Sequence, residues 1–321
     1  MTCSVEPWPL KRPFSITGYT FEQVTLLHVS VRDGEHAGQG EGTGIYYRQE
    51  TGDSMLRQAN AVRDCVIKGA TRKDLLRMLP CGGARNAIDC ALWDLESKQA
   101  GRRVWDLLDM DALPVSTVNT VSLGTPTQMA AVARALDTRW IKVKLDGETP
   151  LERMRAVCEA RPDAKIVVDV NEGWTFAQLQ DLAPRFRDLG VAMIEQPLPR
   201  GADAMLEGYS AALPLCADES CLDSSDFEQA ASRYRVINIK LDKTGGLTEA
   251  LRLAEMARAR GIELMVGNMV GTSLGMAPGF IIAQLCRFVD LDGALLLARD
   301  RDAPLIYSGG IIQPPSAALW G

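Results

Sequence analysis

Apolar runs of four to nine residues alternate with longer amphipathic segments from about residue 114 to residue 298. The runs are rich in β-branched and aliphatic residues, which is typical of strands buried in a parallel sheet. Eight of them occur, at residues 115–123, 140–145, 166–170, 191–195, 213–217, 236–241, 263–266 and 288–291. The segments between the runs, such as 176–189 and 248–260, carry apolar residues at helical spacing. Each repeat of 22 to 26 residues therefore predicts one βα unit.

Eight strands in one consecutive series predict a closed parallel barrel rather than an open doubly wound sheet. Seven clear helices follow these strands. The expected fold class is α/β, a modified TIM barrel of the (β/α)7β type over residues 114–298.

The first third of the chain has a different pattern. Residues 1–50 alternate like an antiparallel sheet, and helical segments follow at 54–80 and 84–99. Strands followed by helices predict an α+β unit over residues 1–113. We expect the Pro- and Gly-containing tail, residues 299–321, to return to this unit and complete a capping domain.

Composition narrows the functional classes. A net charge of -6 and the lack of a basic cluster argue against nucleic acid or an anionic membrane as partner. The N-terminus has no apolar signal segment, and the eight cysteines show no C-x-x-C pair, which favours reduced thiols in a cytoplasmic protein over a disulfide framework or zinc site. The two histidines, His28 and His36, both precede the predicted barrel, so histidine catalysis within the barrel is excluded.

Charged side chains end five consecutive predicted strands, at successive spacings of 25, 26, 23 and 22 residues. They are Lys144, Asp169, Glu195, Asp218 and Lys240. Any one of these carboxylates could instead be a helix cap or a salt-bridge partner. Because catalytic groups of parallel barrels lie at the carboxyl ends of the strands, the recurrence in phase favours one shared site.

The chemistry of the set points to a hard metal ion. Three convergent carboxylates would repel one another without a cation, and all-oxygen ligation suits Mg²⁺ better than zinc. We expect Asp169, Glu195 and Asp218 to bind the metal, which would stabilise the charge that develops when an α-proton leaves a carboxylate substrate. Lys144 and Lys240 could then remove a proton from one face of that carbon and return one to the other.

Two further residues share faces with this set. Lys142 lies on the same strand face as Lys144, because strand side chains alternate. This pair alone could be the solvated face of an edge strand, but in a barrel Lys142 is expected to lower the pKa of Lys144 as a like-charged neighbour. Asn171 shares a face with Asp169 and could orient it or a metal-bound water.

Six motifs occur along the chain. They are K-x-K at 142–144, V-D-V-N at 168–171, I-E-Q-P-L at 194–198, A-D-E-S at 217–220, N-I-K-L-D-K-T-G-G at 238–246, and A-R-N-A-I-D-C-A-L-W-D-L at 84–95. With this set the chain resembles the enolase superfamily, in its muconate lactonizing subgroup, over almost its whole length. The last of these motifs looks like the capping-domain helix of that subgroup.

Within the subgroup the chain looks most like dipeptide epimerases of the L-Ala-D/L-Glu epimerase type. The added reason is Asp290-Leu291-Asp292, because an Asp-x-Asp at this place binds the free ammonium of the dipeptide in that family. The resemblance implies a Mg²⁺-dependent isomerase that moves a proton at the α-carbon of the C-terminal residue. Lys144 and Lys240 would act on opposite faces, with an enolate between the two epimers.

One departure concerns the substrate side chain. The L-Ala-L-Glu enzymes carry a basic residue near position 19, whereas this chain has Gly18-Tyr19, with Lys11 and Arg12 the nearest cations in sequence. The resemblance therefore implies that Tyr19 contacts substrate and that a neutral or apolar second residue is accepted. Loops at 16–21 and 47–53 are expected to set this choice.

Three alternatives remain open from the sequence. Within the superfamily, o-succinylbenzoate synthase or N-acylamino acid racemase would use the same lysines and metal, but an acylated amine offers no cation to Asp290 and Asp292. A Schiff-base lysine enzyme such as an aldolase would leave the carboxylates unexplained. A non-enzymatic metal-binding barrel is the third. The expected partner is a small dipeptide, and a homo-oligomer is a common outcome for such barrels.

Overall fold

The computed structural model describes residues 1–321. It begins with a three-stranded antiparallel sheet in the order β1-β2-β3. The strands are β1 (Thr2–Ile16), β2 (Tyr19–Asp33) and β3 (His36–Thr43). Four helices follow: α1 (Gly52–Ile67), α2 (Arg72–Met78), α3 (Gly83–Ala100) and α4 (Val104–Leu107). The predicted order of strands and then helices is confirmed.

Helix α3 packs directly on β3 because three alternate positions of that strand are glycine. A Cβ atom at Gly38, Gly40 or Gly42 would overlap a backbone carbonyl oxygen of α3. The opposite side of the helix is also covered, since Arg85 donates to the carbonyl oxygens of Thr244 (2.6 Å) and Gly245 (3.1 Å). A helix buried on both sides thus joins the antiparallel sheet to the rest of the molecule.

Eight parallel strands form one sheet in chain order, from the first to the last. They are β5 (Val118–Val121), β6 (Trp140–Lys144), β7 (Lys165–Asp169), β8 (Val191–Glu195), β9 (Leu215–Ala217), β10 (Val236–Lys240), β11 (Glu263–Gly267) and β12 (Phe288–Val289). The seam between β5 and β12 is bridged by the Thr117 hydroxyl, which accepts from the Leu291 amide at 3.0 Å and lies 3.4 Å from the Val289 carbonyl oxygen. The sheet is therefore a nearly closed barrel, which confirms the fold class.

Helices surround this barrel. They are α5 (Pro126–Ala135), α6 (Pro150–Ala160), α7 (Phe176–Asp188), α8 (Phe227–Arg233), α9 (Leu241–Thr244), α10 (Leu247–Arg260), α11 (Ser273–Ala283) and α12 (Gly293–Leu296). After β8 the chain forms only a 3-10 turn at Ala204–Leu206. Residues 196–214 contain three prolines and two glycines, which disfavour a continuous helix.

The C-terminal tail contacts the first third of the chain. A small antiparallel sheet joins β13 (Tyr307–Ser308) and β14 (Ile311–Ile312) to β4 (Val115–Ser116). Beyond it, the buried Trp320 donates its indole N–H to the Cys90 carbonyl oxygen of α3 at 3.0 Å. The domain boundaries at 113 and 298 stay predictions.

The barrel interior is divided along its axis. Its amino-terminal half is filled by a compact apolar cluster: Val118, Val167, Met193, Cys216, Val236, Met265 and Phe288. The charged side chains at the strand ends lie above this layer, at the carboxyl-terminal mouth, where catalytic groups of parallel barrels are found. No helix in residues 1–321 has both the length and the apolar character needed to span a bilayer.

Candidate active site

Strand register places three of the expected site residues side by side. Lys144 on β6 pairs with Asp169 on β7, and Asp169 pairs with Glu195 on β8. Asp218 follows directly after β9, and Lys240 is the last residue of β10. All five side chains are buried, so the structure brings the predicted set together at one end of the barrel.

Each of the two outer lysines is paired with its own carboxylate. Lys144 Nζ lies 2.6 Å from Asp169 Oδ2, and Lys240 Nζ lies 2.6 Å from Asp218 Oδ2. Strands β6 and β10 are four positions apart in the sheet of eight. Because the sheet curves into a barrel, the two lysines extend from opposite walls, and both line the same cavity.

Lys142 is almost completely buried and contacts three carboxylates. Its Nζ is 2.6 Å from Asp290 Oδ2, 2.8 Å from Glu195 Oε2 and 2.9 Å from Asp169 Oδ2. Burial lowers the pKa of this ammonium, but the three carboxylates together outweigh burial and raise the pKa well above its usual value. Lys142 therefore carries a charge that offsets the acids around it; its predicted effect on Lys144 stays a prediction.

The pKa values of two neighbouring carboxyl groups, those of Asp169 and Glu195, are shifted in opposite directions. Burial raises the pKa of Asp169, but Lys142 and Lys144 together outweigh this and lower it to about 2. The pKa of Glu195 rises to about 7, first because the group is buried and second because the negative Asp169 is adjacent. The site thus holds one firmly ionised carboxylate beside one that titrates near neutral pH.

Asp218 is held ionised from two sides. Lys240 lies at one of its oxygens and Lys243 Nζ lies 2.7 Å from the other, Oδ1. These ammonium groups offset the effect of burial and keep the pKa of Asp218 well below its usual range. The same attraction, led by Asp218 against the cost of burial, raises the pKa of Lys240.

The donor set of these acids fits a hard divalent cation. Glu195 Oε2 and Asp218 Oδ1 are buried and accept no hydrogen bond, although ammonium nitrogens lie 2.8 and 2.7 Å away. Such oxygens suit Mg²⁺, which prefers carboxylates. As the side chains stand, no group of three or more His, Cys, Asp or Glu residues converges on one point as metal ligands do. The lysine ammonium groups are instead the nearest partners of the carboxylates, and the metal role stays a prediction.

Asn171 links the Lys144 side of the site to the Asp218 side. Its Oδ1 accepts from Lys144 Nζ at 3.0 Å, and its Nδ2 donates to Glu219 Oε1 at 3.3 Å. Its backbone has φ 45°, a left-handed conformation that non-glycine residues seldom adopt, and its amide donates to Asp169 Oδ1 at 3.0 Å. The backbone of Asn171 thus contacts Asp169 directly, and its role in orienting that carboxylate stays a prediction.

Asp290 and Asp292 follow the last barrel strand and line the same cavity. Asp290 Oδ2 contacts Lys142, whereas its Oδ1 is buried and accepts no hydrogen bond. Asp292 Oδ2 accepts from the Thr120 amide at 2.7 Å, and burial followed by the charge of Asp290 raises the pKa of Asp292 to about 7. This carboxylate pair lines the cavity and includes one buried oxygen that accepts no hydrogen bond.

The antiparallel sheet and the loop after it close the cavity, which has a volume of about 300 Å³. Phe21 and Tyr46 form part of its wall, with ring centroids 5.4 Å apart. Tyr19 is 47% exposed and does not line the cavity; its ring packs on Tyr46 at 4.6 Å. A direct contact between Tyr19 and substrate stays a prediction.

Two family descriptions together cover nearly the whole chain. Residues 1–109 match the mandelate racemase / muconate lactonizing enzyme N-terminal domain, and residues 127–318 match the enolase C-terminal domain-like family. The chain belongs to the mandelate racemase and muconate lactonizing enzyme family of the enolase superfamily. The resemblance read from its motifs is confirmed.

Curated relatives of this family are similar over nearly their full length. An Escherichia coli K12 protein named L-Ala-D/L-Glu epimerase is 43% identical over 310 residues, which is 95% of this chain and 96% of that protein. A Pseudoalteromonas protein named N-acetyl-D-glutamate racemase is 40% identical over 301 residues, 92% of this chain and 95% of that protein. Both names describe isomerases.

Solved structures of this family are similar to this chain over nearly its whole length. An enolase family member from Agrobacterium tumefaciens with homology to dipeptide epimerases, with sodium and L-Ala-L-Glu bound, superposes with a TM-score of 0.97 at 40% identity and covers 100% of this chain and 99% of that one. A dipeptide epimerase from Enterococcus faecalis V583, complexed with Mg and L-Leu-L-Tyr, has a TM-score of 0.92 at 26% identity, covering 99% and 98%.

Sequence reasoning assigned no role to several residues that hold the charged side chains in place, although its motifs contain them. Lys243 donates to the carbonyl oxygens of Asp218 (2.5 Å) and Asn238 (2.9 Å), and Gln196 Oε1 accepts from the Asp218 amide at 2.9 Å. Asn238 Nδ2 donates to Glu195 Oε1 at 2.7 Å. Alternation along β10 could have identified Asn238, which shares a face with Lys240. Lys243 follows the strand, where alternation gives no signal.

Proposed function

We propose that this chain is a Mg²⁺-dependent dipeptide epimerase, an isomerase that transfers a proton at the α-carbon of the C-terminal residue of a dipeptide. The observation that carries the proposal is the placement of Lys144 and Lys240 on opposite barrel walls, with three buried carboxylates between them. A carbon held between two such amines can lose a proton on one face and gain one on the other.

In this proposal Asp169, Glu195 and Asp218 would hold the ion. Bound there, Mg²⁺ would attract the substrate carboxylate and stabilise the negative charge that develops as the α-proton leaves. For the ion to reach these oxygens, the lysine ammonium groups must move off them. The same movement would free both amines to approach the substrate carbon.

The two lysines have matched tasks. When Lys144 removes the proton from one epimer, Lys240 would be the proton donor on the other face. The reverse direction exchanges the two roles. The Asn171 side chain accepts a hydrogen bond from the Lys144 ammonium and so helps to position that amine.

Asp290 and Asp292 supply the subsite for the free ammonium of the dipeptide. Two carboxylates at one wall of the cavity suit a cation, and Asp290 Oδ1 has no other donor to accept from. A cytoplasmic location and a homo-oligomeric assembly stay predictions that accompany this proposal.

The second candidate is racemisation of an N-acylated amino acid, favoured by the Pseudoalteromonas relative and its name. The reaction at the α-carbon would use the same lysines and ion. It would leave Asp290 without a cationic partner from the substrate, because an acylated nitrogen carries no charge. The unsatisfied oxygen of Asp290 therefore favours the dipeptide.

The test compares both substrate classes in D₂O with Mg²⁺ present. Mass spectrometry would follow incorporation of one deuteron at the α-carbon of a dipeptide panel and of N-acetyl and N-succinyl amino acids. We expect exchange and epimerisation of dipeptides. Turnover of acylated amino acids alone would establish the second candidate, and exchange of neither class would exclude both.

A further inference from the structure

The proposed geometry fixes where the side chain of the epimerised residue must point, and the inference that follows rests on the proposed function. Two directions from the α-carbon are taken by the proton positions facing Lys144 and Lys240. The carboxylate points to the three acids, and the amide nitrogen leads to the ammonium subsite at Asp290. The remaining direction is outward, towards the part of the cavity walled by the antiparallel sheet and its loop.

One part of that outer wall is apolar, although uncharged polar side chains such as Gln23, Thr25 and Thr51 also line it. Its side chains include Phe14, Ile16 and Phe21 around the turn between β1 and β2, with Tyr46 from the following loop and Met269 after β11. Phe21 and Tyr46 are in edge contact, and Tyr46 in turn contacts Tyr19. The turn is fastened to the barrel by Thr17, whose hydroxyl donates to the Val170 carbonyl oxygen at 2.9 Å.

The charges lining the cavity disfavour an acidic side chain there. Its only cations are the three lysines, and each of them is already paired with carboxylates of the inner site. The one charged group contributed by the outer wall is Glu50, whose Oε2 accepts from the amides of Ile45 and Gly83, both at 3.1 Å. A substrate carboxylate in the outer part would be desolvated without a cationic partner and near a fixed negative charge.

We infer that the epimerised residue carries an uncharged, apolar side chain, aromatic or branched aliphatic, and that Phe21 and Tyr46 determine this preference. Aromatic side chains bury large apolar areas and favour edge contacts with other rings, which this wall offers. The Agrobacterium structure contains L-Ala-L-Glu, so that dipeptide is the decisive competitor.

The first experiment measures kcat/KM of the Mg²⁺-loaded enzyme for L-Ala-L-Phe, L-Ala-L-Leu, L-Ala-L-Gln and L-Ala-L-Glu. We expect the Phe and Leu dipeptides to exceed the Glu dipeptide by about tenfold or more, the order of discrimination that one pocket provides. An equal or higher value for L-Ala-L-Glu would overturn the inference and leave the proposed function intact. Exchange of no dipeptide would overturn both.

A charge introduced into the outer wall gives a second, independent readout. Phe21→Arg should raise kcat/KM for L-Ala-L-Glu and lower it for L-Ala-L-Phe, whereas the matched control Phe21→Leu should keep the apolar preference. If Phe21→Arg folds, as judged by circular dichroism, and leaves the ratio of the two substrates unchanged, Phe21 does not face the side chain. If the variant does not fold, the wild-type ratio of kcat/KM for L-Ala-L-Phe to kcat/KM for L-Ala-L-Glu decides alone.

Discussion

Lys144 and Lys240 end strands that lie four positions apart in the eight-stranded barrel, and each ammonium lies 2.6 Å from a different buried aspartate. The two amines therefore extend from opposite walls into one cavity. One base fixed at a single wall reaches only one face of a bound carbon, whereas two opposed amines can act on both faces of a substrate that stays in place.

Removal of either amine should abolish epimerisation. Lys144→Ala and Lys240→Ala are each expected to reduce kcat by about 10³-fold or more, since a positioned acid or base contributes about 10²–10⁴-fold and both are needed. Epimerisation is measured by chiral chromatography of the product. Lys165→Ala, at the exposed opposite end of β7, is the matched control and should retain activity. Wild-type rates in either site variant would contradict the two-base scheme.

The metal assignment predicts a loss of ion affinity rather than of fold. Asp169→Asn, Glu195→Gln and Asp218→Asn should each weaken Mg²⁺ binding, measured by calorimetry, by at least about 100-fold, because even outer partners of ligands cost about 10–100-fold. Asp188→Asn, at an exposed carboxylate, should bind Mg²⁺ as the wild type does. Unchanged affinity in all three site variants would place the ion elsewhere.

The ammonium subsite can be tested with one charge. Asp292→Asn keeps an acceptor for the Thr120 amide and removes the negative charge. We expect kcat/KM for dipeptides with a free amine to fall by about 30-fold or more, because loss of one partner of a buried charge pair costs at least about 2 kcal/mol. N-acetylated dipeptides should react equally slowly with both proteins. An equal loss for both substrates would mean that Asp292 supports the fold of the site and does not bind the amine.

A buried carboxyl away from the metal set gives a prediction for stability. Burial raises the pKa of Asp242 to about 7, against about 3.9 in an unfolded chain. The folded state therefore holds this proton more tightly, so the stability that Asp242 contributes is fully present below about pH 4 and is lost as the pH rises through 7. The full difference is on the order of 4 kcal/mol.

Asp242→Asn removes this dependence while keeping an acceptor for the Thr43 amide and the Asn86 side chain, both at 2.8 Å. Urea unfolding at pH 5 and pH 8 should show the variant gaining about 2 kcal/mol or more relative to wild type at the higher pH. A difference in stability that does not change between these pH values would show that Asp242 is ionised throughout.

The sequence predicted the placement of the inner charged side chains because the signal for that placement is local. Lys144, Asp169, Glu195 and Lys240 each end a strand, and parallel strands bring their carboxyl ends to one edge. The barrel and its eight strands followed from the same repeat. The repeat predicts a helix after each strand, but after β8 the structure has only a 3-10 turn. In the hydrophobic pattern, a segment without a helix differs little from one with a short helix.

Contacts between distant parts of the chain could not be predicted in this way. Lys142 and Asp290 are 148 residues apart, and no pattern in one strand indicates that Asp290 would be the closest partner of that ammonium. The wall formed by Phe21 and Tyr46 likewise depends on how the antiparallel sheet is placed over the barrel mouth. Side chains from the antiparallel sheet and from the barrel meet there. The sequence pattern of one unit does not show how the other unit packs against it.

The two-base claim is tested most directly by deuterium exchange in the lysine variants, starting separately from the L,L and L,D forms of one dipeptide in D₂O with Mg²⁺. We predict complementary results: Lys144→Ala exchanges the α-proton of one epimer only, and Lys240→Ala exchanges that of the other only, with no net epimerisation in either. Exchange of both epimers by one of these variants would show that a single lysine serves both faces, and it would contradict the account.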